Sequence, residues 1–418
     1  MCGIAGAVAL RPDARPDAER VRRMSALVAH RGPDGDGLWI SPSGRACLAH
    51  RRLSIIDLAT GGQPMARADG EAAIVFNGEI YNYLELRRDL QGSGVALRTE
   101  SDTEALLHLL GRDGAAALDA LRGMFAFAYW DDRAGRLILA RDRVGKKPLY
   151  HAEVDGSLYF ASSIRALRAA LPASRPIDVD ALDSYLTLGY IPAPLTIHQG
   201  VSKLPAGTVM ETAISGARKE RRFWDLATDD DRFEGSFDDA LDALDALLDE
   251  SVALRLRSDV PLGVFLSGGI DSSLVTALAA RRAPGVRTFS ISMDDAAFDE
   301  SRYAAEVARI LGTEHHVFRA VPDLLGTLPE MVSHFGEPYA DSSALPTWLL
   351  ARETRRHVTV ALGGDGGDEA FAGYNWYFTA ARLARLSGMV PSPAYAAAGQ
   401  ALAGLARTGV RLPSPLGR

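Results

Sequence analysis

The stretch VPLGVFLSGGIDSSLVTALAARR (260–282) contains an apolar run, a turn of small residues and a helical pattern in immediate succession. The run 260–266 predicts a buried strand, and the spacing of apolar residues in 272–282 predicts a helix. The same alternation continues along the chain, with further strands predicted at 286–292, 314–318 and 358–362. Strands that alternate with helices form a parallel sheet, which binds ligands at the carboxyl ends of its strands. The C-terminal half is therefore predicted to be an α/β unit.

The turn within this stretch, SGGIDSS (267–273), is a candidate phosphate-binding loop. Small residues let backbone N–H groups approach a polyanion, and the helix that follows adds the partial positive charge of its N-terminus. The turn differs from a Walker A loop because no lysine follows the glycines. An ordinary strand–helix turn with a serine cap is the alternative that these residues leave open.

A second loop, GGDGGDE (363–369), follows the predicted strand 358–362. Glycines and three acidic side chains at the end of a parallel strand suit a site for a nucleotide and a metal ion. A flexible acidic loop without a ligand is the alternative.

The first 165 residues have a different pattern. Apolar runs predict strands at 73–76, 124–130 and 137–140, and helical spacing is found at 17–29, 82–91 and 102–110. Strands that follow strands, with helices set apart, predict a layered α+β unit. Prolines interrupt 166–235, which is predicted to connect the unit 1–165 to a second unit, 236–418.

Composition limits the class of protein. Hydrophobic residues make up 47% of the chain and the formal net charge is −7, without a long basic run, which argues against nucleic acid as the main partner. No apolar stretch reaches the roughly 18 residues needed to span a membrane, and the N-terminus lacks the basic region of a signal peptide. Two cysteines do not make a disulfide framework, so a cytoplasmic protein with reduced thiols is predicted.

Cys2 directly follows the initiator methionine and is a candidate nucleophile. If Met1 is removed, one residue carries both a thiol and a free α-amine, and a pKa of about 8 leaves part of that amine neutral as a base at pH 7. Asn77 and Gly78 follow the predicted strand 73–76 and offer a side-chain amide and a backbone N–H as oxyanion donors. Asn-Gly is equally typical of a hairpin turn, and spacing does not separate the two interpretations.

Seven motifs of the N-terminal half occur in the order found in class II glutamine amidotransferases, and they resemble those of the asparagine synthetase B type. They are MCGIAG (1–6), RGPDG (31–35), HRRLSIIDL (50–58), FNGEIYNY (76–83), SDTE (101–104), GMFAFAYWD (123–131) and ARDRVGKKPLY (140–150). The resemblance implies an N-terminal-nucleophile hydrolase fold, which is a four-layer αββα sandwich.

The same resemblance implies roles at the first site. Cys2 would attack the side-chain amide of glutamine, with an oxyanion hole formed by the Asn-Gly pair. The guanidinium of Arg52 would bind the α-carboxylate, and two acidic residues would hold the α-ammonium, although plain surface charge is the alternative for these three. The implied glutamine-binding residues are Arg52, Asn77, Gly78, Glu79 and Asp102.

The C-terminal half resembles the ATP pyrophosphatase domain of the same family, which cleaves ATP between the α- and β-phosphates and adenylates a carboxylate. Both SGGIDSS (267–273) and EPYADSSALPTWLLAR (337–352) are similar to family motifs. Asp365 would act at the centre that joins aspartate and ATP, and Asp271 and Asp368 would bind Mg²⁺. The implied ATP-binding residues are Leu266, Ser267, Gly268, Gly269, Asp271, Ser272, Ile291, Gly363 and Gly364.

Three features depart from the family pattern. Ser163 stands where an acidic residue usually follows Phe-Ala-Ser, and Gly363 stands where the acidic loop usually begins with serine. Family members also continue well beyond residue 418, with a catalytic lysine that no position here matches. An incomplete synthetase half is therefore expected.

The implied function is that of a carbon–nitrogen ligase that makes asparagine. Glutamine would be hydrolysed at Cys2, and ammonia would pass inside the protein to a β-aspartyl-AMP intermediate formed with ATP and Mg²⁺ and shielded from water. The expected partners are glutamine, aspartate and ATP, with a homodimer as the assembly and neither nucleic acid nor a membrane. Two alternatives stay open, namely another carboxylate acceptor and a glutaminase or nucleotide-binding protein without synthetase activity.

Overall fold

A computed structural model describes residues 1–172, 175–226, 232–320 and 324–387. Its strands are β1 Gly3–Ala9, β2 Gly35–Ile40, β3 Ala46–Arg52, β4 Met65–Ala66, β5 Ala72–Ile80, β6 Gly123–Asp131, β7 Arg136–Arg141, β8 Tyr150–Val154, β9 Ser157–Ala161, β10 Ser202–Lys203, β11 Thr208–Ala213, β12 Arg218–Arg222, β13 Leu262–Phe265, β14 Arg287–Ser292, β15 Glu314–Arg319 and β16 Val360–Leu362. Its helices are α1 Ala18–Leu27, α2 Tyr83–Gly92, α3 Asp102–Asp113, α4 Ile164–Arg168, α5 Val179–Leu188, α6 Phe237–Arg255, α7 Ile270–Arg282, α8 Ser301–Leu311, α9 Leu324–Phe335, α10 Ala344–Thr354, α11 Gly367–Phe371 and α12 Asn375–Ser387, with 3₁₀ turns at Ala29–Arg31 and Gly114–Ala120.

Two antiparallel six-stranded sheets form the N-terminal sandwich, in the orders β10-β8-β9-β1-β3-β2 and β12-β11-β7-β6-β5-β4. One apolar core, which includes Val8, Val75 and Phe160, lies between the sheets. A second core packs α1 and α4 on the outer face of the first sheet, and a third packs α2 and α3 on the outer face of the other. The predicted αββα sandwich is confirmed.

Strand β6 shows why its sequence is apolar at nearly every position. Phe125, Phe127 and Tyr129 belong to the core under the helices, whereas Ala126 and Ala128 belong to the core between the sheets. Because successive side chains of a strand point to opposite faces, a strand in the middle of four layers needs apolar residues on both.

Part of the segment 166–235 belongs to the sandwich sheets. β10 pairs with β8, and β11 pairs with β7 and with β12. Apolar patterning does not predict these strands because β10 has only two residues and β12 consists of exposed charged residues, RKERR. The division of the chain at residues 165 and 235 stays a prediction, but the sheets themselves continue to residue 222.

The C-terminal unit has a parallel sheet in the order β15-β14-β13-β16, which confirms the predicted α/β class. Helices α6 and α7 pack with β13 in one core, and α8 packs near the end of β13 against Leu266. Each strand predicted for this unit is present within two residues of its expected bounds. Helix α9 was not predicted, and it contains Pro329.

The two units are joined by polar contacts. The Asp57 N–H donates to the Asp259 carboxylate at 2.7 Å, and the Asp259 N–H donates to the Ile55 carbonyl at 3.0 Å. Lys203 and Glu337 form a largely buried ion pair at 2.6 Å. In the described part of the chain, none of the helices has the length and apolarity to cross a membrane.

Candidate active sites

Cys2 lies immediately before β1, at the wall of a cavity of about 270 Å³. The Leu53 N–H donates to its Sγ at 3.4 Å, and the Arg31 Nε–H donates to its carbonyl at 3.0 Å. Burial raises the pKa of the Cys2 thiol. The sulfur is therefore fixed in position, but it needs a base or a cation to become a thiolate.

Asn77 and Gly78 lie inside β5, where they pair with Ala126 and Phe125 of β6. The hairpin alternative is thereby excluded. Asn77 is completely buried at the cavity wall, and neither polar atom of its amide has a partner among the described residues. A buried amide without partners is unusual, and a bound oxyanion would accept a hydrogen bond from its Nδ2–H group.

Gly78 is required by a close backbone approach. A Cβ atom at this position would lie 2.1 Å from the Met124 carbonyl oxygen of β6 and 2.8 Å from the Phe125 Cα. Because both neighbours are backbone atoms of a paired strand, no larger residue fits without moving the strand. The Gly78 backbone thus stays at the cavity wall without a side chain in front of it.

Glu79 and Asp102 form an acidic wall of the same cavity. Their exposed fractions are 6% and 5%. Burial, followed by the neighbouring Asp102, raises the pKa of Glu79, and burial raises the pKa of Asp102 to about 6. Asp102 begins α3 and accepts a hydrogen bond from the Ile80 N–H at 3.0 Å, which fixes its carboxylate. This wall suits a ligand ammonium group.

Arg52 lies at the end of β3, on another wall of the cavity. Its guanidinium donates to the carbonyls of Leu58 and Ile56 at 3.2 Å each and of Asp57 at 2.5 Å. These neutral groups orient the guanidinium without cancelling its charge. The predicted glutamine-binding residues therefore meet in one cavity, with cationic and acidic walls that suit an α-amino acid.

Two residues of this cavity were missed by the sequence analysis. Lys147 is 6% exposed and lines the cavity. Gln63 accepts from the Phe76 N–H at 2.7 Å and donates to the Thr103 hydroxyl at 3.2 Å, which joins β5 to α3. The signal for Lys147 was its place in ARDRVGKKPLY directly before a buried strand, whereas Gln63 stands in a polar turn without a distinctive pattern.

The predicted phosphate loop connects β13 to α7 and has a defined shape. Ser267 Oγ lies 3.0 Å from Ser272 Oγ and accepts from the Gly269 N–H at 3.2 Å. Gly268 has a φ of +87°, and a Cβ there would lie 2.6 Å from the Ala304 nitrogen of α8. Leu266 is buried behind the loop, while Ile291 lies half-buried near the end of the neighbouring strand β14.

The acidic loop packs directly on the start of α7. A Cβ on Gly364 would lie 2.8 Å from the Ser272 nitrogen, and a Cβ on Gly367 would lie 2.3 Å from the Asp271 Cγ. The structure therefore brings the two predicted loops together at the carboxyl ends of β13 and β16. At Gly363, where the family usually has serine, a Cβ would lie 3.1 Å from an Asp365 carboxylate oxygen.

The residues of these two loops fit a magnesium nucleotide. Among the described residues, no group of three or more His, Cys, Asp or Glu side chains is placed to hold a metal ion. Mg²⁺ typically takes only one or two carboxylates together with phosphate oxygens. Asp271 and Asp368 in adjoining loops match that requirement, and the glycines leave space for phosphate oxygens beside them.

A larger cavity of about 1080 Å³ lies between the two units. Its lining includes Ser163 from the sandwich and Asp365 from the acidic loop. The buried Trp348 Nε1 and Thr354 Oγ1 atoms, in side chains that line it, have no hydrogen-bond partner in the described part of the chain. The residues that line both this cavity and the Cys2 cavity are Met1, Leu53, Thr359, Val360 and Ala361.

Two family models match the chain. One, described as a glutamine amidotransferase domain, matches residues 1–224, and one described as asparagine synthase matches 243–416. Asparagine synthetase [glutamine-hydrolyzing] 1 of Bacillus subtilis is 38% identical over 385 residues, which are 90% of this chain and 59% of that protein. This chain therefore spans less than two thirds of the length of that relative.

Two further relatives with related names are similar to this chain. A putative asparagine synthetase [glutamine-hydrolyzing] 2 of Methanocaldococcus jannaschii is 33% identical over 411 residues, which are 92% of this chain and 77% of that protein. Asparagine synthetase B [glutamine-hydrolyzing] of Escherichia coli is 32% identical over 401 residues, which are 91% and 66% of the two chains. Because a relative of this similarity is matched over more than three quarters of its length, this chain belongs to the family of glutamine-hydrolysing asparagine synthetases.

Proposed function

We propose that this protein takes ammonia from glutamine at Cys2 and uses it to amidate a carboxylate, that of aspartate, after activation by ATP. The observation that carries the proposal is the contiguity of two cavities. The Cys2 cavity and the larger cavity share five lining residues, four of which remain after removal of Met1, and Asp365 lines the far one. A small product released at Cys2 would pass along these shared residues towards the acidic loop.

At the first site, removal of Met1 places the α-amine on the nucleophile itself. The amine takes the thiol proton while Sγ attacks the amide carbon of glutamine, and it then gives that proton to the departing ammonia. The Asn77 amide and the Gly78 backbone stabilise the oxyanion. Arg52 binds the α-carboxylate, and Glu79 with Asp102 binds the α-ammonium. Water completes the cycle by hydrolysing the thioester to glutamate.

At the second site, backbone groups of 267–272 bind the phosphates of ATP at the start of α7. Asp271 and Asp368 would hold Mg²⁺, which would supply positive charge against the phosphate oxygens. Leu266 and Ile291 would help to hold the nucleotide, and Asp365 would act at the reacting carboxylate. The activated acid would have to be kept from water until ammonia arrives. A cytoplasmic location and a homodimeric assembly are part of this proposal, and both cysteines are free thiols.

The test is to follow AMP, pyrophosphate and the amidated product with ATP, Mg²⁺, aspartate and either glutamine or ammonium. We expect pyrophosphate release to need aspartate and either nitrogen source to support amide formation. Asp365→Asn should retain glutamine hydrolysis and lose AMP formation, which separates the two sites. Pyrophosphate release that ignores aspartate but responds to another carboxylic acid would replace the acceptor, and no release with any acid would reject the synthetase part.

A further inference from the structure

Lys147 is a buried cation that none of the proposed steps uses. The backbone N–H of Lys147 donates to the Asp142 carboxylate at 3.0 Å, and its backbone carbonyl accepts from the Arg141 Nε–H at 2.8 Å. Asp142 is itself 1% exposed and also accepts from the Phe125 N–H of β6 at 3.1 Å. The backbone of Lys147 is therefore fixed at the wall of the Cys2 cavity, and its side chain is almost fully removed from water.

Burial of an ammonium group is costly unless nearby charges compensate it. Burial lowers the pKa of this ammonium group; Glu79 of β5, Asp142 after β7 and Cys2 before β1 oppose that effect, and Arg31 of the 3₁₀ turn adds to it. Arg52 of β3 and Asp102 of α3 line the same cavity. Glu79 and Asp102 are buried carboxylates of this cavity, Arg52 is a cation on another wall, and Lys147 adds a second cation to the lining.

We propose that Lys147 is a positioning residue of the glutaminase reaction, whose charge favours the unprotonated form of the Cys2 α-amine and the ionised form of Glu79 in the empty cavity. The inference rests on the proposed function, because the free α-amine of Cys2 exists only after Met1 has been removed. Lys147 neither gives nor takes a proton; the thiol proton still moves to the amine and from there to ammonia. A fixed cation disfavours a second cation beside it and favours a neighbouring carboxylate.

The electrostatics of the N-terminus agree with this placement. In the chain that still carries Met1, burial lowers the pKa of the Met1 α-amine to about 5, and Lys147 and Arg31 act in the same direction. Once Met1 is removed, the Cys2 α-amine would lie at the wall of the same cavity. The same lysine lowers the pKa of Glu79 against the larger effects of burial and Asp102, and it lowers the pKa of the Cys2 thiol. Loss of the charge would raise all three pKa values, so each effect moves activity towards higher pH.

The test is the pH dependence of kcat/KM for glutamine hydrolysis in Lys147→Met, Lys147→Arg and Lys219→Met. Lys147→Met removes the charge and keeps the apolar stem, and Lys147→Arg keeps the charge. Lys219 is exposed on β12, so its replacement is a matched control. We expect the acidic limb of Lys147→Met to move up by about one pH unit, with Lys147→Arg close to wild type and Lys219→Met unchanged.

A second measurement does not need turnover. The rate at which iodoacetamide alkylates Cys2 in the empty protein should show the same shift in Lys147→Met, and in Lys147→Gln if the methionine variant does not fold. Folded Lys147 variants with an unchanged acidic limb and an unchanged alkylation profile would overturn the inference. Wild-type protein without Cys2-dependent glutamine hydrolysis would instead overturn the proposed function, so the two failures are distinct.

Discussion

The Cys2 cavity and the loops around Ser267 both lie at strand ends, but they differ in how much of the site the protein builds in advance. Asn77, Glu79 and Asp102 are each at most 6% exposed within the antiparallel sandwich. Ser267, Gly269 and Ile270 of the other site are exposed, and Ile270 is 86% exposed. One site is enclosed by packing, and the other consists of open loops on a parallel sheet.

The comparison shows which groups of each site are already positioned in the empty protein and which require a bound ligand. The enclosed site holds an unpartnered amide and two carboxylates with raised pKa values, so the empty protein carries a cost that a bound amino acid relieves. The open loops have their polar groups near solvent, and a nucleotide with its metal ion would supply the missing contacts. Substitutions should therefore impair chemistry at the first site and nucleotide affinity at the second.

Replacement of the nucleophile should give the largest effect. Cys2→Ala should lower glutamine hydrolysis by about 10³-fold or more, because no other group of the cavity forms the thioester. Ammonia-dependent amide formation should persist, since the second site is separate. Cys47→Ala, at the other free cysteine, is the control, and the intact mass of wild type should lack Met1. Retention of Met1 in protein that hydrolyses glutamine would contradict the role of the α-amine.

The oxyanion donor should come next. Asn77→Ala should lower kcat for glutamine by about 10²–10³-fold with little change in KM, because the buried amide contacts charge that develops only in the transition state. Asn375→Ala, on the exposed start of α12, is the matched control. A variant whose KM rises while kcat is preserved would show that Asn77 binds glutamine rather than stabilises the oxyanion.

The sequence predicted the reacting residues of the Cys2 cavity better than it predicted the residues and strands that surround them. Ordered motifs identified Cys2, Asn77 and Glu79, because their chemistry restricts both residue type and spacing. Whether Asn77 and Gly78 formed a turn could not be decided, since their position depends on pairing with β6, about 50 residues further along the chain. Lys147 was missed for a related reason: a lysine next to another lysine resembles surface charge until the fold buries it.

The open site was predicted in a different manner. Strand bounds and both loops followed from local alternation, but the packing of Gly364 and Gly367 on the start of α7 did not. Contacts between loops that are about 100 residues apart leave no periodic signal in one sequence. The short strands β10 and β12 were missed because pairing with a sheet edge, rather than apolar patterning, defines them.

Arg52 tests whether the enclosed site also binds by charge. Arg52→Ala should raise the KM for glutamine by about 30-fold or more, since removal of one partner of a close charge pair typically costs about 2–5 kcal/mol. Arg51→Ala is the neighbouring control, because the Arg51 guanidinium instead contacts Ser25 and Asp36. Steady-state kinetics and a thermal melt distinguish lost binding from lost stability, and equal KM values for the two variants would reject the pairing.

At the open site, Asp271→Asn should lower the affinity for ATP. We expect the affinity for ATP in the presence of Mg²⁺ to fall by about 10–100-fold and the affinity without Mg²⁺ to change little, while glutamine hydrolysis continues. Asp245→Asn, exposed on α6, is the control in the same titration. Equal losses with and without the metal ion would mean that Asp271 shapes the loop and does not bind Mg²⁺.

The smallest effect is expected from the acidic wall of the Cys2 cavity, and it is a change of KM and of stability with pH. Burial raises the pKa of Asp102 to about 6 and also raises that of Glu79. Only the ionised pair attracts the α-ammonium of glutamine, so KM should begin to rise as pH falls below about 7, the pKa of Glu79, and should rise further below about 6, by up to about tenfold per unit for each carboxylate. The folded empty protein holds these protons more tightly than the unfolded chain, so this pair makes it less stable as pH rises from about 4 to the folded pKa values. Bound glutamine should remove that loss of stability, which thermal melts of Cys2→Ala can measure because this variant does not hydrolyse glutamine. A melting temperature whose glutamine-induced increase is the same at pH 5 and pH 7.5 would show that the wall does not bind the ammonium group.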